Sequence, residues 1–535
     1  MDTTGDHKDP RPYKDKEGKT LVKQPDGSSE KHGNAAVLGV GSRLAAGPSA
    51  GLVQTAFARE LADQLALFRG MSLADLAHTV MLIEAGVIPS AQGASLLGAL
   101  LALHAYPGDF TPTPESGDLY TNREAWLAAR SPVVGWLGAG RARRESTTTG
   151  YRIIVRSCLL AFADALIKVG TALVERAAEY KATLMADYTY LQPAQPTTFG
   201  HYLLGFAYPL LRDLERLQSL YTRTNLSPAG CGSVNGSRLP QDRHRLAELL
   251  GFDGLVQHAR DAMWQADGPI ETLSVVVAAL VNLDRLAEDL QIFATAEFDL
   301  VELAEGHTRA SVIMPQKKNP YALTYVRGAA NELTGTLTAQ ASLGRTPSGQ
   351  VDNRVFAYGD VPRALETATG VATLVADVLT GLHFNAPVAA ARLANGFATA
   401  TDLAETITLE TGLDFRTAHR IVGRLVREAS QANRTLRDLT TADLDVAAQE
   451  MLNRPLHLSE SAFAQALDPA VAVAARKGTG GAAPESLSAM LTECRVALDT
   501  HATWRKKAAA RAGTAEEKLL RRAQELCGGM PCPSI

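Results

Sequence analysis

Apolar residues recur three and four positions apart along most of this chain, the period of an α-helix that buries one face. In 152–180, Val155, Leu159, Phe162, Leu166, Val169 and Leu173 keep one face apolar over about five turns. Stretches 199–224, 268–298, 322–341 and 362–382 repeat the character, with Arg and Asp or Glu on the opposite face. Five such helices joined by Gly/Pro loops predict an all-α bundle. No alternation is long enough to predict a major sheet, and no internal repeat is visible.

Three regions break the pattern and are chemically dense: LGAGRARRESTTTG at 137–150, MADYTYLQPAQP at 185–196 followed by LSPAGCGSVNGSRLP at 226–240, and EGHTRASVIMPQKKNP at 305–320. Polar, Gly-rich loops on rigid helices are where function tends to sit. Lysine usage marks a further boundary, since six lysines fall within the first 31 residues and eight in the remaining 504. The expected organisation is a mobile N-terminal tail (1–35), an N-terminal helical domain with an active-site loop (36–150), a central long-helix domain (151–390) and a small helical C-terminal domain with a tail (391–535).

Composition narrows the function classes. The 535 residues are 46% hydrophobic and 21% charged, which suits a folded globular chain. The net charge of −4 offers no basic excess for nucleic acid. No charge-free run of about 18 apolar residues suggests a membrane span, and MDTTGDHKDPRPYKDKEGK lacks the apolar core of a secretory signal. A cytoplasmic location is therefore expected. Five cysteines, at 158, 231, 494, 527 and 532, are too few and scattered for a disulfide framework. Without HExxH or paired CxxC spacing, neither a metal nor another cofactor is expected.

Ser311, Lys317 and Asn319 place a hydroxyl, an ammonium and an amide within nine residues, stiffened by Pro315 and Pro320. Such a loop can hold a carboxylate and offer a base, or be a polar surface loop; spacing alone leaves both open. ASVIMPQKKNP at 310–320 resembles the signature loop of the fumarase/aspartase superfamily, GSSxMPxKxNP. YTYLQPAQPTTFGH (188–201) resembles the family's YTHLQxAQP segment, NLSPAGCGSVNGSRLPQDR (225–243) its Gly-rich middle loop, and GAGRARRES (138–146) a variant of the TGRSRND loop of argininosuccinate lyases. FRTAHRIVGRLV (415–426) resembles the start of their C-terminal domain.

The resemblance covers about residues 40–480 in family order. It implies a fumarase/aspartase-like homotetramer with a twenty-helix core, each active site built by three subunits, and anti β-elimination from a small succinyl-containing substrate without a cofactor. It assigns Ser311 as the base on a mobile loop, with Lys317 and Asn319 holding carboxylates. Arg143 and Thr189 match family residues that bind the succinyl part, Gln195 matches a supporting glutamine, and Arg354 stands where the family has a carboxylate-binding lysine.

The departures concern the nitrogen half of the site. The family's YTHLQ histidine is Tyr190 and its partner glutamate is Thr324, so both halves of an ion pair have changed together. Ala142 and Arg144 replace Ser and Asn, Ala310 and Val312 replace Gly and the second Ser, and Glu60 and Gln64 stand where Ser and Asp contact the arginine moiety. The expected activity is a carbon–nitrogen lyase that releases fumarate from another N-substituted aspartate or succinyl-nitrogen compound. In that activity Tyr190 is a candidate proton donor, and Arg144 either holds an extra anion or pairs with Glu145 or Glu124. The rivals are a superfamily cycloisomerase or adenylosuccinate-type lyase and a non-catalytic, crystallin-like relative. His78, His201 and His419 read as packed and hydrogen-bonded, His307 as a weak relay candidate, Cys231 as no nucleophile, and Cys527 and Cys532 as free thiols on a frayed terminus.

Overall fold

The computed structural model describes residues 43–350 and 352–528. The expected N-terminal tail at 1–35 and Cys532 lie outside them. After a helical run that includes Ala58–Gln64, the first unit contains α1 (Phe68–Glu84), α2 (Ser90–His104) and α3 (Leu119–Ala128). The centre is formed by α4 (Arg143–Glu179), α5 (Phe199–Thr224), α6 (Asp267–Phe293), α7 (Tyr321–Leu343) and α8 (Asp352–Gly381). A smaller unit holds α9 (Ala400–Thr411), α10 (Phe415–Gln431) and α11 (Thr441–Leu452), and α12 (Pro484–Leu526) ends the described chain.

The apolar stripe read from the sequence is the seam of the bundle. Val155, Leu159, Phe162, Leu166, Val169 and Leu173 are all buried, and they join residues of α5, α6, α7, α8 and α12 in one core. Cross-contacts fix the helix directions. Thr148 meets Tyr358 and Arg176 meets the Leu382 carbonyl, so α4 and α8 run parallel. Tyr202 bonds Asp289 while Arg223 bonds Glu271, so α5 opposes α6. Arg327 reaches Asp284 and Glu288 while Gly344, at the other end of α7, sits against Ile270, so α7 opposes α6.

Among the described residues, only short strand pairs accompany the helices. The hairpin of β1 (Leu184–Thr189) and β2 (Gln192–Thr198) is the longest. β3 (Leu226–Ser227) pairs with β4 (Gly254–Leu255), β5 (Val301–Glu302) with β8 (His383–Phe384), and β6 (Arg309–Ala310) with β7 (Lys318–Asn319). Stretches 50–84 and 143–179 are long and apolar enough to cross a membrane by composition, and both are largely buried as core helices.

Two expected divisions fall inside helices: α4 runs straight through 150/151, and Ala386–Ala394 spans 390/391. The last described helix, α12, has 43 residues. It packs along α5, where Tyr208 bonds Glu493 (2.8 Å) and Trp504 meets Tyr221, and continues into the first unit, where Arg522 bonds Glu84 (2.9 Å). Cys527 is buried there, against the reading of a frayed end. α8 begins ten residues before Pro362, which stands inside the helix instead of opening it.

The first unit is pressed onto the bundle at a glycine crossing. A Cβ on Gly70 of α1 would stand 2.3 Å from the carbonyl oxygen of Gly150 of α4, and one on Gly150 would stand 2.6 Å from the Met71 nitrogen. Both obstacles are backbone, so a methyl can enter only by forcing the helices apart. Gly150→Ala is expected to destabilise the protein by about 1–3 kcal/mol, the usual cost of overpacking. Gly98→Ala, on an exposed helix face with nothing within 4 Å, should instead be neutral or stabilising. Thermal melts of the two variants would check this, and equal Tm values would refute the close-packed crossing.

Candidate active site

The loop that leads into α4 is held by one buried carboxylate. Asp75 of α1 accepts from Arg123 of α3 (2.9 Å), from Arg141 (2.7 Å) and from the Ser146 hydroxyl (2.7 Å). Burial alone would raise its carboxyl, but Arg141 and Arg123 hold it below the usual range. Gly140 provides the left-handed turn (φ +69°) before Arg141, and its carbonyl accepts from Gln241 (2.8 Å). A second buried carboxylate, Glu145, ties the same loop to the Gly-rich segment. It accepts from the backbone N–H of Gly230 (2.8 Å) and of Gly232. Burial pushes it up to about 7 against the pull of Arg141 and those two N–H groups.

At the exposed mouth of this assembly, Arg143 stands 3.5 Å from the Asp118 carboxylate and is half exposed. Arg144 reaches neither Glu145 nor Glu124; it meets Glu60 at 3.4 Å. Glu60 also accepts from Gln64 (3.1 Å), whose own carbonyl accepts from the Leu119 N–H (3.1 Å). Burial raises the Glu60 carboxyl and Asp118 adds to the rise. The three residues expected in the remodelled nitrogen half are therefore bonded to one another. Arg354 lies deeper, 5% exposed, donating to the Thr148 hydroxyl (2.9 Å) with its guanidinium 5.0 Å from the Trp264 ring.

The other expected residues are at the far end of the bundle. Thr189 and Gln192 close the β1–β2 hairpin around Tyr190 and Leu191, which both adopt left-handed backbone (φ 54° and 58°). Two side-chain-bearing residues in such a turn are uncommon and cost about 1 kcal/mol or more each. Tyr190 projects fully into solvent, 99% exposed, and Thr189 and Gln195 are exposed beside it. Ser311 sits on the β6–β7 hairpin, where its Oγ accepts from the Met314 N–H (3.0 Å) and its N–H donates to the Lys317 carbonyl (3.2 Å). Asn319 donates to the Arg309 carbonyl (2.9 Å), and Lys318 pairs with Glu302 (2.9 Å). Lys317 is exposed and, among the described residues, has no acid within ion-pair distance. Val312 and Ile313 are exposed at the hairpin tip.

Within one chain the expected site thus falls into two halves. Arg143, Arg144 and Arg354 gather where α4 and α8 begin; Thr189, Tyr190, Gln195, Ser311, Lys317 and Asn319 gather where those helices end. The 37 residues of α4 separate them by about 55 Å. Thr324 bonds only the Pro320 carbonyl of its own helix (3.3 Å). His78 is packed against the Ala139 carbonyl (3.1 Å), and His201 bonds Thr197 and the Gly480 carbonyl (3.0 Å each). His419, expected to be packed, is exposed beside the Phe415 ring, because its helix face looks to solvent. His307 packs against Gly381, and Cys231 is buried with its thiol raised by burial and Glu145.

Long helices, two loop-bearing ends and a hairpin carrying Ser311 define a lyase of the fumarase type. A lyase family model matches residues 124–335, and an argininosuccinate lyase C-terminal model matches 397–474. The chain is 36% identical over 426 residues to the argininosuccinate lyase of Methanothrix thermoacetophila, covering 78% of this chain and 85% of that relative. It superposes on an EDDS lyase variant with bound fumarate at TM-score 0.83 and 30% identity, covering 87% of this chain and 93% of that one. An EDDS lyase complex with formate gives 0.81 and 29%, covering 90% and 97%. The chain belongs to the argininosuccinate lyase-like branch of the fumarase/aspartase superfamily and is a carbon–nitrogen lyase that releases fumarate.

Glu145 makes stability depend on pH. Its folded value near 7 lies above the ordinary 4.5, so its contribution is fully present below about 4.5 and is lost as the pH rises through 7. Glu145→Gln cannot ionise and should escape that loss. The variant should gain on the wild type, on the order of 3 kcal/mol, between pH 4.5 and 7. Melting curves across that range would check it; a difference independent of pH would refute a titrating Glu145.

Proposed function

We propose that the protein cleaves an N-substituted aspartate, or a related succinyl-nitrogen compound other than argininosuccinate, by anti β-elimination. In this reading it acts as a homotetramer whose active sites each draw on three subunits. What carries the reading is the separation of the two functional halves by a long helix, with exposed hairpin tips at one end and Arg143, Arg144 and Arg354 at the other. Copies packed head to tail would bring the halves together and cover the tips.

In this reading Ser311 takes the C–H proton beside a carboxylate, that electron pair forms the C=C bond of fumarate, and the C–N pair leaves with the amine. Abstraction loads the carboxylate with a second negative charge, so preformed cations and donors around it are the largest stabilisation on offer. Lys317, Asn319, Arg143 and Thr189 fill that role, with Gln195 supporting the hairpin. A serine is a weak base unless its alkoxide is stabilised. The N–H of Met314 already points at Ser311 Oγ, and closure of the Val312–Ile313 tip would exclude water. Tyr190 replaces the family's histidine as donor to the leaving nitrogen. The chemistry as proposed uses no metal or organic cofactor.

The mutual bonding of Glu60, Gln64 and Arg144 supports the exclusion of argininosuccinate. A guanidinium would have to displace Arg144 from Glu60, leaving a mostly buried arginine unpaired, a cost of several kcal/mol. Screening N-substituted aspartates and argininosuccinate for fumarate absorbance tests the reading; efficient argininosuccinate cleavage would overturn it.

Ser311→Ala should lower kcat by about 10²–10⁴ while fumarate still binds and light scattering still gives a tetramer of four 56.9 kDa chains. Unchanged turnover would place the base elsewhere. Tyr190→Phe should lower kcat on the true substrate more than it raises KM, because a proton donor acts in the transition state. An effect confined to KM would make Tyr190 a binding residue only.

A further inference from the structure

Beside α4 lies a cavity of about 320 Å³, and its α4 wall is a single helical stripe, Thr148, Tyr151, Arg152 and Val155. Arg144, which does not line the cavity, stands one turn before Thr148 on the same face of α4, about 6 Å along the axis. Arg354 caps the near end. The residue is 5% exposed, its Nε has no partner, and among the described residues no carboxylate lies within ion-pair distance. A buried cation without an anion is costly, and the natural remedy is an anion supplied by a ligand. The Thr148 and Tyr358 hydroxyls, 2.9 Å apart, offer further polar contact there. Val155, Leu220 and Leu255 form an apolar part of the wall, and the carboxylates of Asp261, Asp267 and Glu271 also line the cavity.

We propose that this cavity receives the leaving group, and that the leaving group is an apolar α-amino acid. Its nitrogen is the one released beside Arg144, its carboxylate lies on Arg354 and Thr148, and its aliphatic or aromatic side chain lies along that apolar part of the wall. The substrate class is then an N-(1-carboxyalkyl)aspartate. The inference rests on the elimination chemistry proposed above. It assigns Arg354 to the leaving group, whereas the resemblance left open which carboxylate that position holds.

The test runs the reaction in the direction of addition, where the amine N–H adds across the double bond of fumarate. The full-length protein is given fumarate with leucine, with 3-methylbutylamine, which lacks only the carboxylate, or with alanine, which lacks the side chain. Leucine should react at least about tenfold faster than either. Arg354→Gln should erase the leucine over 3-methylbutylamine preference, and Arg354→Lys should restore part of it. Gly268 lines the cavity with open space where a Cβ would go. Gly268→Leu should therefore fill it and erase the leucine over alanine preference. Preferences unchanged in these variants would overturn the inference. So would Arg354→Gln weakening inhibition by fumarate as much as it weakens leucine, since Arg354 would then serve the succinyl half. If no amine consumes fumarate, the elimination reading fails, and calorimetric titration of leucine still reads the cavity. Binding that Gly268→Leu abolishes would support the site, and no binding would overturn it.

Discussion

The length and straightness of α4 constrain everything else in this protein. Thirty-seven residues of helix hold Arg143 and Thr189 about 55 Å apart, and no loop of the same chain can close that distance. α8 runs parallel to it and repeats the separation, carrying Arg354 at one end and the β8 strand that supports the Ser311 region at the other. In the reading proposed above, the rigidity that makes the bundle a good scaffold leaves each chain with half a site, and the exposed Tyr190, Leu191, Val312 and Ile313 would be covered by other copies.

Much of this was legible in the sequence, for a physical reason. A helix that buries one face must repeat its apolar residues at helical spacing, so 199–224 was delimited to the residue and 268–298 and 322–341 to within a few. The errors arose where local rules yield to tertiary packing. Pro362 reads as a start signal, yet it is held inside α8 by the core around it. The end of the chain is polar enough to read as a tail, yet its sparse apolar residues, Leu519 and Ala523, dock on the first unit.

The polar interior was far less legible. Asp75 lies in an apolar helix with nothing local to announce it, because its partners are 48, 66 and 71 positions away. Glu145 looked like a surface partner for Arg144; its real partners are the N–H groups of a loop more than 80 residues on. Backbone donors leave no trace in side-chain identity, so only the spacing of glycines at 230 and 232 hinted at them. The residues of the signature loop were the opposite case. Their chemistry is packed into nine positions, and the loop's own backbone, through the Met314 N–H, completes it.

Replacement of the family's residues in the nitrogen half has a common logic once the contacts are seen together. Charges introduced at 60 and 144 neutralise one another across 84 positions, and Gln64 bridges Glu60 to the start of α3. A pocket satisfied in this way no longer asks its ligand for a cation. Among the described residues, Arg354 is a buried cation there without an acid in ion-pair distance and with its Nε unpartnered. In the reading proposed above, electrostatic demand moves from an acidic residue facing a guanidinium to a guanidinium facing the ligand's anion, about one helical turn along the same face of α4. The fumarate-forming residues need not change for this to happen, since they lie at the other end of the bundle and would arrive from other copies. In the proposed tetramer, shared sites would let one half of the chemistry be rebuilt while the other stays fixed.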